Sequence, residues 1–297
     1  MVCLKVNLPI EKHLKKIIFI CIVLLIASTL VLSHEISHQQ LTAKNKQVQD
    51  CSNVKSSTKT PACNNITQPI PVNTSITTHE PDPFLSAQER FLGTITSSLS
   101  TVPQSGSFEY TLLRAYGAAF VNKDADIKLP AKVIFANEDE TREFQSTLSM
   151  GRVDNTNDCY LQEHAAEALN KARSQATIPL KSGYGTSDCT RTFETNTRFW
   201  YKYANNSTLE KVRQGKNTAI LGLVAPPGAS QHLWGLAIDL HVSNSVQKQA
   251  LNRNGWFQTV ENDIPHWTYL GQSQEKLIEL GFKNKVVRGV TYWVTPL

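Results

Sequence analysis

The sequence lacks any long block of lysine and arginine. Its 30 basic and 25 acidic residues leave a net charge of +5, and the cations never gather into the kind of patch that tracks a nucleic-acid backbone. Nucleic acid is therefore not an expected partner, whereas an anionic surface such as a membrane or cell wall suits the modest positive charge. No two cysteines stand in a C-x2-4-C spacing, which argues against a cysteine-rich zinc site. No internal repeat is visible, so the 297 residues read as one large domain or two small ones. Nor does a clear small-x-small cleavage site follow the apolar run near the N-terminus.

That run is the first positive feature. Lys5, Lys12, Lys15 and Lys16 precede an uncharged segment at residues 17–33. Seventeen residues at helical rise span roughly 25 Å, just enough for a bilayer core. The positive flank should stay in the cytoplasm and send the rest outward. Residues 1–33 thus read as a signal-anchor, with a cleaved signal peptide as the competing reading. The chain is expected to be exported and anchored facing the periplasm or cell exterior, or secreted if the segment is cleaved. Cys3 and Cys21 lie in or before this segment. Cys51, Cys63, Cys159 and Cys189 remain, and an exported chain with an even number of cysteines suggests disulfides. The local pairs are Cys51–Cys63 and Cys159–Cys189, with free thiols as the alternative.

Residues 34–83 are rich in Ser, Thr, Asn, Gln and Pro without an apolar period, and read as a flexible spacer. Sequons at Asn65 and Asn73 matter only in a eukaryotic secretory pathway. Order is expected from residue 84, with an N-terminal extension at 84–157 packed on a domain at 158–297. Residues 129–137 look like a short strand, and residues 138–148 a helix with acids in its first turn. Leu161, Ala165, Ala168, Leu169 and Ala172 share one helical face. His164 lies off that stripe and reads as a solvated histidine. Helices and strands alternate irregularly, giving an α+β class: a small antiparallel sheet flanked by helices.

The chemistry concentrates in two stretches. Around residues 228–244, Ser230, His232, Asp239 and His241 interrupt an apolar run; at 261–271, Glu261, Asp263 and His266 sit beside aromatics. Zinc takes imidazole nitrogen and carboxylate oxygen, and a catalytic site keeps one position open. Seven extended residues would separate His232 from Asp239 by more than about 20 Å, so the chain must fold back between them. Gly235 is placed for that bend. His241, two residues from Asp239, reads as its hydrogen-bonding neighbour or as structural, because a fourth protein ligand would close the site. Trp234, Trp256, Trp267 and Tyr269 either pack the core or line the cleft.

The pattern Ser230-x-His232-x-x-Gly235-x-Ala237-x-Asp239, followed by Asp263-x-x-His266, resembles the zinc D-alanyl-D-alanine carboxypeptidases of the vancomycin-resistance type, within the lysostaphin, D,D-peptidase and hedgehog fold group. The resemblance implies zinc ligands at His232, Asp239 and His266, a general base at Asp263 and a substrate-contacting serine at Ser230. It also implies an arginine that holds substrate and the developing oxyanion. Gly185 stands where that arginine is usual, and Arg191 is the replacement. Asp263 replaces the usual Glu, and Pro265 replaces the usual Trp, as in a consistent variant subgroup. The implied activity is a zinc-dependent D,D-carboxypeptidase acting on peptidoglycan stem peptides. A D,D-endopeptidase, or a non-catalytic zinc-containing wall-binding or assembly protein, is the alternative. Nothing in the sequence sets an oligomeric state.

Overall fold

Short polar side chains define where most helices start. Ser86 caps α1 (Ala87–Ile95), Ser107 caps α2 (Phe108–Tyr116) and Asn137 caps α3 (Glu138–Ser146). Among the α-helices of the described residues, only α4 (Glu163–Gln175) begins without a side-chain cap. Thr192, Asn205, Asn244 and Ser273 then cap α5 (Phe193–Tyr203), α6 (Asn206–Arg213), α7 (Ser245–Arg253) and α8 (Gln274–Glu279). Each capping oxygen accepts a backbone N–H that the first helical turn leaves unpaired, worth about 1 kcal/mol. The computed structural model describes residues 84–183 and 185–297. The expected membrane segment, the spacer, the Cys51–Cys63 pair and both sequons lie outside the described residues. Among the described residues, no helix is long and apolar enough to cross a membrane.

The strands are short. β1 (Met150–Arg152) pairs antiparallel with β2 (Tyr160–Gln162). β3 (Ala237–Asp239), β4 (Trp256–Phe257) and β5 (His266–Tyr269) form a three-stranded antiparallel sheet in the order β3-β5-β4. β6 (Lys283–Val287) and β7 (Val290–Val294) close the chain as a hairpin. Mixed helices and small antiparallel sheets thus match the expected α+β class. The small residues Ala165, Ala166 and Ala172, with Leu169, form the buried face of α4, which lets it lie close against β1 and α7.

Residues 129–137 are not a strand. Val133 and Phe135 are buried, so the two-residue period does mark an inward face. The segment's backbone bonds, however, go to two different places: Ala131 O accepts from Ser100 N, and Phe135 N donates to Gly228 O, each at 2.9 Å. Pro130 contributes no donor, and no single neighbour continues a ladder.

The described residues fall within one compact unit. Phe91, Leu113 and Phe120 of the extension share a single core with Leu161, Trp200, Trp234 and Trp256. Trp234 packs on Phe120 with ring centroids 5.2 Å apart. Truncating that indole to alanine would cost about 3–5 kcal/mol. Trp234, Trp256, Trp267 and Tyr269 are all buried, and none of them lines the cleft that holds the metal-ligand candidates.

Candidate metal centre

Ser230 opens a 3-10 turn at Gln231–Trp234 by accepting from His232 N. Gly235 closes it in the left-handed region, at φ 67° and ψ 20°, a conformation that costs glycine least. The chain reverses there, as the sequence demanded, and β3 runs back so that Asp239 comes beside His232. β3 pairs with β5 in a register that sets Asp239 directly opposite His266. The neighbouring segment fixes the end of β3, because Lys181 N donates to Asp239 O and His241 N donates to Pro179 O.

Three residues converge as a result. His232 Nε2 lies 3.2 Å from His266 Nδ1 and 3.4 Å from Asp239 Oδ1, and His266 Nδ1 lies 3.7 Å from the same oxygen. Ligand atoms about 2.0–2.1 Å from one zinc ion at tetrahedral angles stand about 3.3 Å apart, so the trio fits that ion. His232 Nδ1 is 2.8 Å from Cys189 O. A carbonyl only accepts, so Nδ1 carries the proton and Nε2 presents its lone pair to the cluster. Burial, with the Arg191 charge, pushes the His232 pKa down to about 4 against the pull of Asp239; the neutral imidazole is the metal-binding form. Burial works against ionising Asp239, yet the facing imidazoles and Arg191 hold its carboxyl well below the usual range.

The trio opens into a cleft of about 420 Å³, which Asp263, Ser230 and Arg191 also line. Asp263 is half-buried, and burial pushes its carboxyl up to about 6, with Asp239 adding to the rise while His266, Lys181 and Arg191 oppose it. Glu261 points elsewhere: Lys285 Nζ holds its Oε2 at 2.7 Å. Ser230 is buried.

Arg191 does reach the site. Its Nη2 donates to Asp239 Oδ2 at 2.5 Å and its Nε to Ser187 O at 2.7 Å. Its guanidinium lies 4.8 Å from the centre of the Phe199 ring. Gly185 could not carry an arginine: its φ is +83°, and an added Cβ would fall 1.9 Å from Asn157 O. The Cys159–Cys189 disulfide joins β2 to the segment that presents Arg191. His241 is exposed and stands outside the cluster, so it is no inner partner of Asp239.

Sequence reasoning missed the braces. Gln145, on α3, donates from Nε2 to both Arg191 O and Leu233 O at 2.9 Å. Gln231 contacts His266, Thr268 and Tyr116. Gln231 had one available signal, its place between Ser230 and His232; Gln145 had none.

Residues 158–282 match the family model of VanY, D-alanyl-D-alanine carboxypeptidase. That segment is therefore similar to this carboxypeptidase family. All three ligand candidates, Asp263 and Arg191 fall within it. Among solved structures the chain resembles the vancomycin-resistance D,D-dipeptidase VanXYg, crystallised with a D-Ala-D-Ala phosphinate analogue. The identity is 15%, the coverage 45% of this chain and 60% of that one, and the TM-score 0.32. The chain thus spans less than two thirds of that relative. Comparison with curated proteins finds no match.

Proposed function

We propose that this chain is a zinc-dependent cell-wall peptidase that hydrolyses the D-Ala-D-Ala end of peptidoglycan stem peptides. The observation that carries this reading is the convergence of His232, Asp239 and His266 at one end of a cleft that also holds Asp263. Zinc held by the three would supply Lewis acidity to the hydrolytic water and to the scissile carbonyl.

The rest is done by the chain's own groups. Asp263, with its pKa near 6, is ionised at neutral pH but close enough to protonation to hand a proton on. It takes the proton from the attacking water and gives it to the leaving amine. Arg191 uses Nε and Nη2 on Ser187 and Asp239, which leaves its other N–H groups for the substrate carboxylate or the developing oxyanion. Ser230 contacts the substrate from the cleft wall. An exported chain, anchored by its N-terminal segment and facing the periplasm or cell exterior, would meet this substrate directly, and the Cys159–Cys189 disulfide suits such an oxidising compartment.

Mass spectrometry of purified muropeptides after incubation tests the reading. Loss of one D-Ala from pentapeptides is the expected result. Cut cross-links would make the chain an endopeptidase. No product from zinc-loaded protein would favour a non-catalytic binding or assembly role, for which the Arg191–Asp239 pair is the supporting observation.

A further inference from the structure

We propose that Gln231 is a positioning residue that fixes His266 as a ligand through Nδ1. Helix α2, outside the family-matched residues, is the anchor through which it acts. The inference rests on the metal centre described above, not on the peptide substrate.

Gln231 is fully buried. Its Nε2 lies 2.6 Å from the main-chain oxygen of Tyr116, the last residue of α2. That oxygen only accepts, so the amide nitrogen must face it; the flipped amide would set two acceptors against each other. Oε1 therefore faces the other way, 2.8 Å from His266 Nε2 and 2.8 Å from Thr268 Oγ1. Oε1 carries no hydrogen, so His266 Nε2 must donate. A neutral imidazole has one N–H, which leaves the Nδ1 lone pair free. Nδ1 is the atom that faces His232 Nε2 and Asp239 Oδ1.

The amide is locked in turn. Thr268 donates to Oε1, and Thr259 Oγ1 lies 2.8 Å from Thr268 Oγ1 to support it. Turning the amide would leave several buried polar groups unpaired. Tyr116 is fixed as well, because its hydroxyl donates to Leu221 O at 2.7 Å. The two metal-ligand histidines are thus oriented differently. A main-chain oxygen, that of Cys189, orients His232. A side chain orients His266, so a substitution can remove it.

The first test needs no substitution. Imidazole ¹⁵N resonances of the full wild-type chain, recorded before zinc is added, should show His266 protonated on Nε2. Protonation on Nδ1 would overturn the proposal. Zinc affinity, measured by chelator competition, should then weaken about 10- to 100-fold in Gln231→Leu, the usual effect of losing such a partner. Gln231→Glu, which keeps an oxygen for His266 but loses the donor to Tyr116 O, should restore only part of that loss. Wild-type affinity in Gln231→Leu, or equal weakening in both variants, would also overturn it. Should Gln231→Leu fail to fold, the wild-type resonances decide. A chain with Gln231-dependent zinc affinity but no muropeptide turnover would sink the peptidase reading and leave this one standing.

Discussion

His232, Asp239 and His266 form one cluster of histidine and carboxylate. Asp124, Asp126 and His164 form another, and in each the ligand-capable atoms lie within 4.8 Å of one another. The first is buried and the second largely exposed. In the second, His164 uses both ring nitrogens on carboxylates, Nδ1 at 2.7 Å from Asp124 and Nε2 at 3.5 Å from Asp126. The Asp124 hydrogen bond raises its pKa, with the nearby carboxylates adding to the effect against slight desolvation. His164 is thus drawn toward a bridging cation, whereas burial keeps His232 neutral. In the first cluster each imidazole bonds outward with one nitrogen, to Cys189 O or Gln231 Oε1, and turns the other inward. Matching residue types alone do not separate the two clusters; burial and the outward hydrogen bonds do.

The contrast breaks most sharply on metal content. Elemental analysis should find one zinc per chain, lost in His232→Ala and in His266→Ala, with muropeptide turnover lost as well. His164→Ala should keep the zinc. Metal retained in both cluster variants, or lost in His164→Ala, would reverse the assignment. Next in size is Asp263→Ala, expected to keep zinc while losing about 100- to 10,000-fold in turnover. Glu261→Ala should turn over normally, since Glu261 is held by Lys285. Asp263→Glu should bring no gain if the aspartate that lines the cleft already stands in working position. A steep rise would instead indicate a site that has drifted from catalysis.

The disulfide sharpens the comparison from the structural side. It closes a loop with a sequence separation of 30, worth about 3–4 kcal/mol in the chain-entropy picture. Cys159→Ser with Cys189→Ser should lower stability to denaturant by about that amount and also weaken zinc binding, because Cys189 O orients His232. The smallest effect belongs to His164. Its folded pKa lies above the ordinary 6.5, so its contribution is fully present below that value and fades as pH rises through the folded one. The pH dependence of Tm at low salt should show a small acid-side advantage for wild type over His164→Ala. That advantage should vanish at high salt, as expected for an exposed pair.

Local signals carried far along the chain. The acids of its first turn announced α3, and Gly235 announced the reversal after His232. Cys159 and Cys189, one of the two local pairs expected from the sequence, are joined. Residues 129–137 failed the strand expectation because alternation reports an inward face, not a partner for the backbone. His241 failed because β3 ends at Asp239, so the two-residue period that would have aligned the pair no longer applies.

The sequence by itself determined the candidate ligand types, the spacing from His232 to Asp239, the bend between them and the Asp263-x-x-His266 spacing, because each is local chemistry on a short piece of chain. Only the tertiary structure decided which nitrogen of each histidine faces inward, that Arg191 rests on Asp239, and that Gln145 and Tyr116 of the extension brace the centre. Those depend on hydrogen bonds between residues far apart in the chain, such as Tyr116 and Gln231, separated by 115 positions. Such a partner is set by the packing of the whole core, and no local pattern encodes it.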